Sequence, residues 1–198
     1  TILLTIFCAI MFAYAVARMR FKLSRFMVNL LQVGMIVPVF VIVLSLFSLM
    51  GDLGVRNTYQ GMIMLYTASA LPISVIIFTG YFRSLPFELE EAAYIDGCGV
   101  FRSFFKIMIP AIKTGVITVV VISFLGGWND LAYSMTFNVK PDMRPLTANI
   151  YKFQSKYGTK WNCIMAYGAI LVLPVILLFV FLQKYIVGGM TSGAVKGE

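Results

Sequence analysis

Three stretches of this 198-residue chain, 26–50, 60–82 and 162–183, contain no Asp, Glu, Lys or Arg. Each is as long as, or longer than, the roughly 20 residues a helix needs to cross a hydrocarbon core about 30 Å thick. A fourth apolar run, 114–139, holds a single acid, Asp130, toward its far end, and a fifth, 1–17, is shorter. Such runs specify an all-α, polytopic integral membrane bundle of five spans, with 1–198 as one membrane domain. Lipid is then the solvent for much of its surface, and membrane lipid its first partner.

The composition agrees: 12% of residues are charged, about half the fraction in a soluble domain, and 60% are hydrophobic. There is no histidine, which removes His-based general-base, nucleophile and zinc schemes. Cys8, Cys98 and Cys163 are far apart, form no C-x-x-C pair and are read as packing residues. The 1–17 run begins without Met, has no basic leader and is too aromatic for a signal peptide. The expectation is an N-terminally truncated sequence, with part of a span and up to one further span missing.

A net charge of +8 would suit nucleic acid, but the placement of the basic residues assigns it to topology. Arg18, Arg20, Lys22 and Arg25 crowd one gap between apolar runs, and Arg83, Arg102, Lys106 and Lys113 another. With these on the cytoplasmic side, 51–59 and 140–161 fall outside, and the tail from Lys184 falls inside. Loop 140–161 holds Lys140, Arg144, Lys152, Lys156 and Lys160, against the rule that the shorter loops obey. No nucleic-acid partner is expected. Pro38, Pro72 and Pro174 lie within spans and are expected to bend them, as hinges or as static kinks. Gly126-Gly127 is expected to permit close helix approach.

The polar segment 84–113 carries the chemistry. Ser84 and Pro86 read as helix-opening residues, followed by Glu88, Glu90 and Glu91, whose carboxylates complement the positive end of a helix. Gly97 supplies a left-handed exit, so a short helix over 87–96 is predicted. Phe101, Phe104, Phe105, Met108 and Ile112 then recur at helical spacing among Arg102, Lys106 and Lys113. That pattern is an amphipathic helix near the membrane surface, after which Pro110 re-aims the chain into the next span.

Glu91-Ala92-Ala93, Gly97, Ile107 and Pro110 stand at the spacing E-A-A-three-G-nine-I-x-L-P, with Ile109 in place of the leucine. On this motif the chain resembles the permease subunits of type I binding-protein-dependent ABC importers, in their carbohydrate-uptake, maltose-type branch. Tyr94-Ile95-Asp96 within the motif, Trp128-Asn129-Asp130 and the tail 189–197 add to the likeness, which runs from about Phe26 to the C-terminus. Family members usually have six spans, and the first span here fits their second.

The resemblance implies that Glu91, Ala92, Ala93, Asp96, Gly97, Ile107 and Pro110 form a coupling segment docking on a cytoplasmic ATPase. Small Ala92 and Ala93 would let the helix sit close, and Glu91 would pair with a basic residue. Tail residues Thr191, Gly193 and Lys196 would reach toward the ATPase dimer. Outer-loop residues Tyr151, Phe153, Tyr157 and Gly158 would face an extracytoplasmic solute-binding protein, although these aromatics, with Trp161, equally suit an interfacial belt. The implied partners are two ABC ATPase subunits, a second homologous permease and that binding protein, in a bacterial or archaeal inner membrane. No catalytic residue, cofactor or metal is expected in this chain, which has no P-loop of its own. An ion-coupled transporter, for which Asp130 is the one intramembrane candidate, and a structural membrane protein remain as alternatives. A membrane-embedded enzyme finds no base beside Ser45, Ser48, Ser69, Ser74 or Ser123, which read as packing or hydrogen-bonding residues.

Overall fold

The computed structural model describes residues 1–19, 21–138, 140–155 and 158–194, with only the backbone described at Pro141 and from 184 on. Helices α1 (Ile2–Arg18), α2 (Ser24–Ile36), α3 (Val39–Asp52) and α4 (Tyr59–Ser84) come first. The short α5 (Glu88–Ile95) and α6 (Val100–Ser103) follow, then a π-helical turn, Phe104–Met108, and α7 (Ile109–Ala111). Next are α8 (Lys113–Trp128), α9 (Ala132–Phe137) and the long α10 (Trp161–Ala194). The strands β1 (Gln154–Ser155) and β2 (Gly158–Thr159) form a small antiparallel hairpin just before α10.

Among the described residues two unbroken helices are long and apolar enough to cross a membrane, Tyr59–Ser84 and Trp161–Gln183. Both carry a proline, Pro72 or Pro174, and run on through it. At Pro38 the bend expected in the 26–50 run is a break between two helices that together meet the length and composition of a span. Val37 before it takes an extended conformation, as a residue preceding proline prefers. The chain there turns through 103° into α3, giving a broken pair instead of one helix. The run 114–139 is also interrupted: α8 stops at Trp128, and Asn129–Leu131 separate it from α9.

The main core joins α1, α4, the π turn and α8. Ala9, Ile10, Ala13 and Tyr14 of α1 meet Val75, Phe78 and Phe82 of α4, with Phe104, Met108, Ile112 and Val119 closing the cluster. Tyr14 stacks edge-on against Phe82 at 5.4 Å and tilts over Phe104 at 4.7 Å. Gly115 allows α8 to approach α4, because a Cβ there would lie 2.6 Å from the Tyr81 ring. Gly126 and Gly127, expected to serve that purpose, have no atom within 4 Å of a built Cβ, so the close approach lies about three turns earlier.

A second cluster, Met50, Met62, Leu65, Tyr133 and Phe137, packs α3, α4 and α9 at the opposite end of α4. Arg18 and the 84–112 segment thus share one end of the bundle, and Thr58–Tyr59 with Asn138, Met143 and Pro145 the other. This is the alternation that the shorter loops predict. The three cysteines are free and half-buried.

Candidate functional site

Helix α5 is flanked by Phe87 and Asp96, the ends of the predicted 87–96 helix. Ser84 does not open it. Its hydroxyl donates to the Tyr81 carbonyl at 2.8 Å as the last residue of α4, and the α5 N-terminus has no side-chain cap. Glu88, Glu90 and Glu91 in its first turn offset that absence by complementing the helix dipole. Its exit forms a Schellman motif around Gly97, whose φ is +76°. The Gly97 N–H donates to Tyr94 at 3.0 Å, and the Cys98 N–H reaches back to Ala93 at 2.9 Å.

Two positions on α5, three residues apart and so on one face, turn inward: Glu90 and Ala93. Ala93 is 2% exposed and packs within this chain. Glu88, Glu91, Ala92 and Asp96 face outward, as does Ile95, which is 85% exposed. Gly97 and Pro110 are also at the surface, while Ile107 is half-buried.

The helix predicted after α5 is interrupted. Phe104, Met108 and Ile112 bury in the core, whereas Phe101, 75% exposed, and Phe105 point away from it. The π turn lets these residues share a core face, and the chain then bends by 71° at Ile112, two residues after Pro110. Ile95, Val100, Phe101, Phe105 and Phe87 therefore leave apolar side chains uncovered around an otherwise acidic helix. Exposed apolar clusters rimmed by charge mark interaction surfaces.

What fixes α5 to the bundle is Arg18, a residue that topology alone explained as one more cytoplasmic charge. Its Nη2 donates to the Leu85 carbonyl at 2.9 Å, and its guanidinium lies 4.3 Å from the Phe87 ring centroid. Its Nε sits 3.2 Å from Glu90 Oε1, with side-chain exposures of 3% and 12%. Burial pushes the Glu90 carboxyl above its ordinary range, and the neighbouring Arg18 charge pulls it back by less. The available signal was the i, i+4 stripe Ile10–Tyr14–Arg18, which carries the buried face of α1 to its last residue.

At the other end, Asp130 occupies the break between α8 and α9. It accepts from the Tyr66 hydroxyl at 2.8 Å and from the Tyr133 and Ser134 N–H groups at 3.1 and 2.9 Å. Ser69 bonds the Tyr133 hydroxyl at 2.7 Å across helices, and Ser74 bonds back to the Ala70 carbonyl. In the outer loop, Thr147 donates to the Trp128 carbonyl at 2.7 Å, and the Tyr167 hydroxyl to Leu146 at 2.8 Å. Phe153 packs on Tyr167 with 5.4 Å between centroids, Tyr151 is exposed, and Gly158 takes a φ of +143° in the hairpin. Tyr157 and Lys196 lie outside the described residues, and at Thr191 and Gly193 only the backbone is described. Among the described residues no group of His, Cys, Asp or Glu could hold a metal.

Residues 5–192 match the family described as the binding-protein-dependent transport system inner membrane component. The chain is 35% identical over 186 residues to the melibiose/raffinose/stachyose import permease protein MelC of Bacillus subtilis, covering 93% of this chain and 67% of that protein. It is 31% identical over 194 residues to the sulfoquinovosyl glycerol transport system permease protein SmoH of Agrobacterium fabrum, covering 98% and 68%. In fold it is similar to a chain in the crystal structure of a bacterial ABC transporter involved in import of the acidic polysaccharide alginate. That likeness has a TM-score of 0.80 at 21% identity, over 92% of this chain and 69% of the other. With the helical membrane fold, the E-A-A-three-G segment and a family match over nearly the whole length, the chain belongs to the binding-protein-dependent inner membrane components, the multi-pass permeases of ABC importers.

Proposed function

We propose that this permease carries a sugar, oligosaccharide or related polyol, and that α5 is the helix through which a separate ATPase drives it. Two ATPase subunits close on ATP, the coupling helices of two paired permeases follow, and the spans switch access from one side to the other. The observation that carries this reading is the outward face of α5. Glu91, Ala92 and Ile95 stand exposed, with Phe101 beside them, on a segment at the cytoplasmic end of the core. An apolar, acid-rimmed helix of this size suits a groove on a soluble partner. Asp96, Gly97, Ile107 and Pro110 shape and support that surface, while Ala93 acts from behind it.

The carbohydrate class rests on the relatives, whose named substrates are glycosides of different kinds. Tyr151 is exposed and would face a solute-binding protein, whereas Phe153 is engaged by Tyr167 and so supports the loop from within. Tyr157, Gly158 and the tail residues Thr191, Gly193 and Lys196 belong to the same proposal. Asp130, bonded at both carboxylate oxygens, acts as a helix cap at the span break, which favours a structural role over ion coupling.

Purification from native membranes in mild detergent tests this assembly by mass spectrometry of the bound proteins. An ATPase subunit, a second permease and a solute-binding protein are the expected companions, and a thermal-shift panel of mono- and oligosaccharides on the binding protein then identifies the sugar. A preparation lacking any ATPase, in a detergent that keeps other ABC importers whole, would contradict the proposal.

A further inference from the structure

Three separate contacts converge on one buried guanidinium at the last turn of α1. Arg18 holds the carbonyl of Leu85, just past α4, the ring of Phe87 at the start of α5, and the carboxylate of Glu90 within α5. These partners lie 67 to 72 residues away in sequence and belong to the segment that leads into and forms α5. One turn earlier, Tyr14 is locked between Phe82 and Phe104, so the end of α1 does not move freely against the core. A planar guanidinium can hydrogen-bond a carbonyl through Nη2, lie over a ring and pair with a carboxylate at once, which a single-point ammonium does not reproduce.

We propose that Arg18 is a positioning residue that makes α5 and the cytoplasmic end of α1 one rigid body, so that a push on α5 is delivered to the first span. This deepens the reading of α5 as the coupling helix and rests on it. Without Arg18, α5 would remain tied to the bundle through Ala93 and its short connections to α4 and α6. Its displacement would then be absorbed locally. The hold is directional: the carbonyl and the ring fix the entry to α5, and Glu90 fixes its first turn, while the outward face stays open.

The test uses the co-purified importer complex in lipid nanodiscs, with Cys8, Cys98 and Cys163 replaced by Ser. Nitroxide labels go on Met19→Cys and Glu88→Cys, both exposed positions flanking the hold. Distances are read without nucleotide and with ATP plus vanadate. With Arg18 present, the distribution is expected to be narrow and the same in both states. Arg18→Met is expected to broaden it and make it nucleotide-dependent, and Arg18→Lys to restore it in part through Glu90 alone. Should Arg18→Met fail to accumulate, Glu90→Gln provides the same comparison, with broadening again expected. A narrow, nucleotide-independent distribution in the Met or Gln variant would overturn the positioning role while leaving the coupling helix intact. Loss of the ATPase from the complex that retains Arg18 would overturn both.

Discussion

Replacing Gly97 with Val is expected to cut ATP-driven uptake by about 10- to 100-fold, the range of a typical coupling free energy, with normal insertion into the membrane. The cause is the backbone. Gly97 has φ +76° and no atom within 4 Å of the position a Cβ would take, so crowding is absent and conformation alone is at stake. A left-handed residue with a Cβ costs about 1–2 kcal/mol, and a β-branched one is a marked outlier there. The easiest relief is to unwind the last turn of α5, which breaks the Gly97–Tyr94 and Cys98–Ala93 bonds and releases Ile95 from its outward position. Gly97→Asn should keep most of the uptake, because Asn tolerates this region, and Gly97→Ala should fall between. The series Asn above Ala above Val, at equal membrane levels by immunoblot, is the outcome that strain at Gly97 requires. Equal activity across the series would show that α5 needs no fixed exit.

Asp130 gives the second large effect, this time on the fold. Its carboxylate satisfies the Tyr66 hydroxyl and two N–H groups of the first turn of α9. Asp130→Ala leaves all three without that acceptor, and the loss is expected to be about 3 kcal/mol, since each orphaned donor costs about 1–3 kcal/mol. Asp130→Asn can place its oxygen where Oδ2 now accepts both Tyr66 and Ser134, forfeiting only the bond to Tyr133. Its cost is expected to be about 1 kcal/mol, near a single hydrogen bond. Thermal unfolding in detergent, followed by the reactivity of half-buried Cys163, orders the two variants. Uptake by Asp130→Asn should persist with an unchanged pH profile. Its abolition in a stably inserted Asp130→Asn protein would revive ion coupling.

Local signals were legible in the sequence. The charge-free run 60–82 marks α4 to within two residues at both ends, and 162–183 marks the start of α10 to within one, because lipid tolerates no other backbone there, while α10 runs on to Ala194. The acidic first turn and Gly97 bound α5 equally well, since caps act within a few residues. What escaped depends on distance or on a choice between two local outcomes. Arg18 and Glu90 are 72 residues apart, and nothing in either neighbourhood names the other. Pro38 could kink a span or end one, and the residues around it allow either, whereas the structure breaks there by 103°. The stop at Trp128 is similar: 114–139 is apolar but for a few polar residues and one acid, Asp130, which captures the next helix start, while Thr147 holds the Trp128 carbonyl. Gly115 outranked Gly126-Gly127 because Tyr81, on another helix, stands opposite it.

The most direct measurement of the coupling role is cross-linking from α5 in the intact complex, with single cysteines at Ala92, Ala93 and Ile95 and a short thiol-to-amine reagent. Ala92 and Ile95 face outward and Ala93 is buried, so ATPase adducts are expected from the first two and not from the third. No adduct from Ala92→Cys or Ile95→Cys in a complex that demonstrably contains the ATPase would contradict α5 as the contact. An adduct from Ala93→Cys as strong as theirs would contradict the orientation of its face.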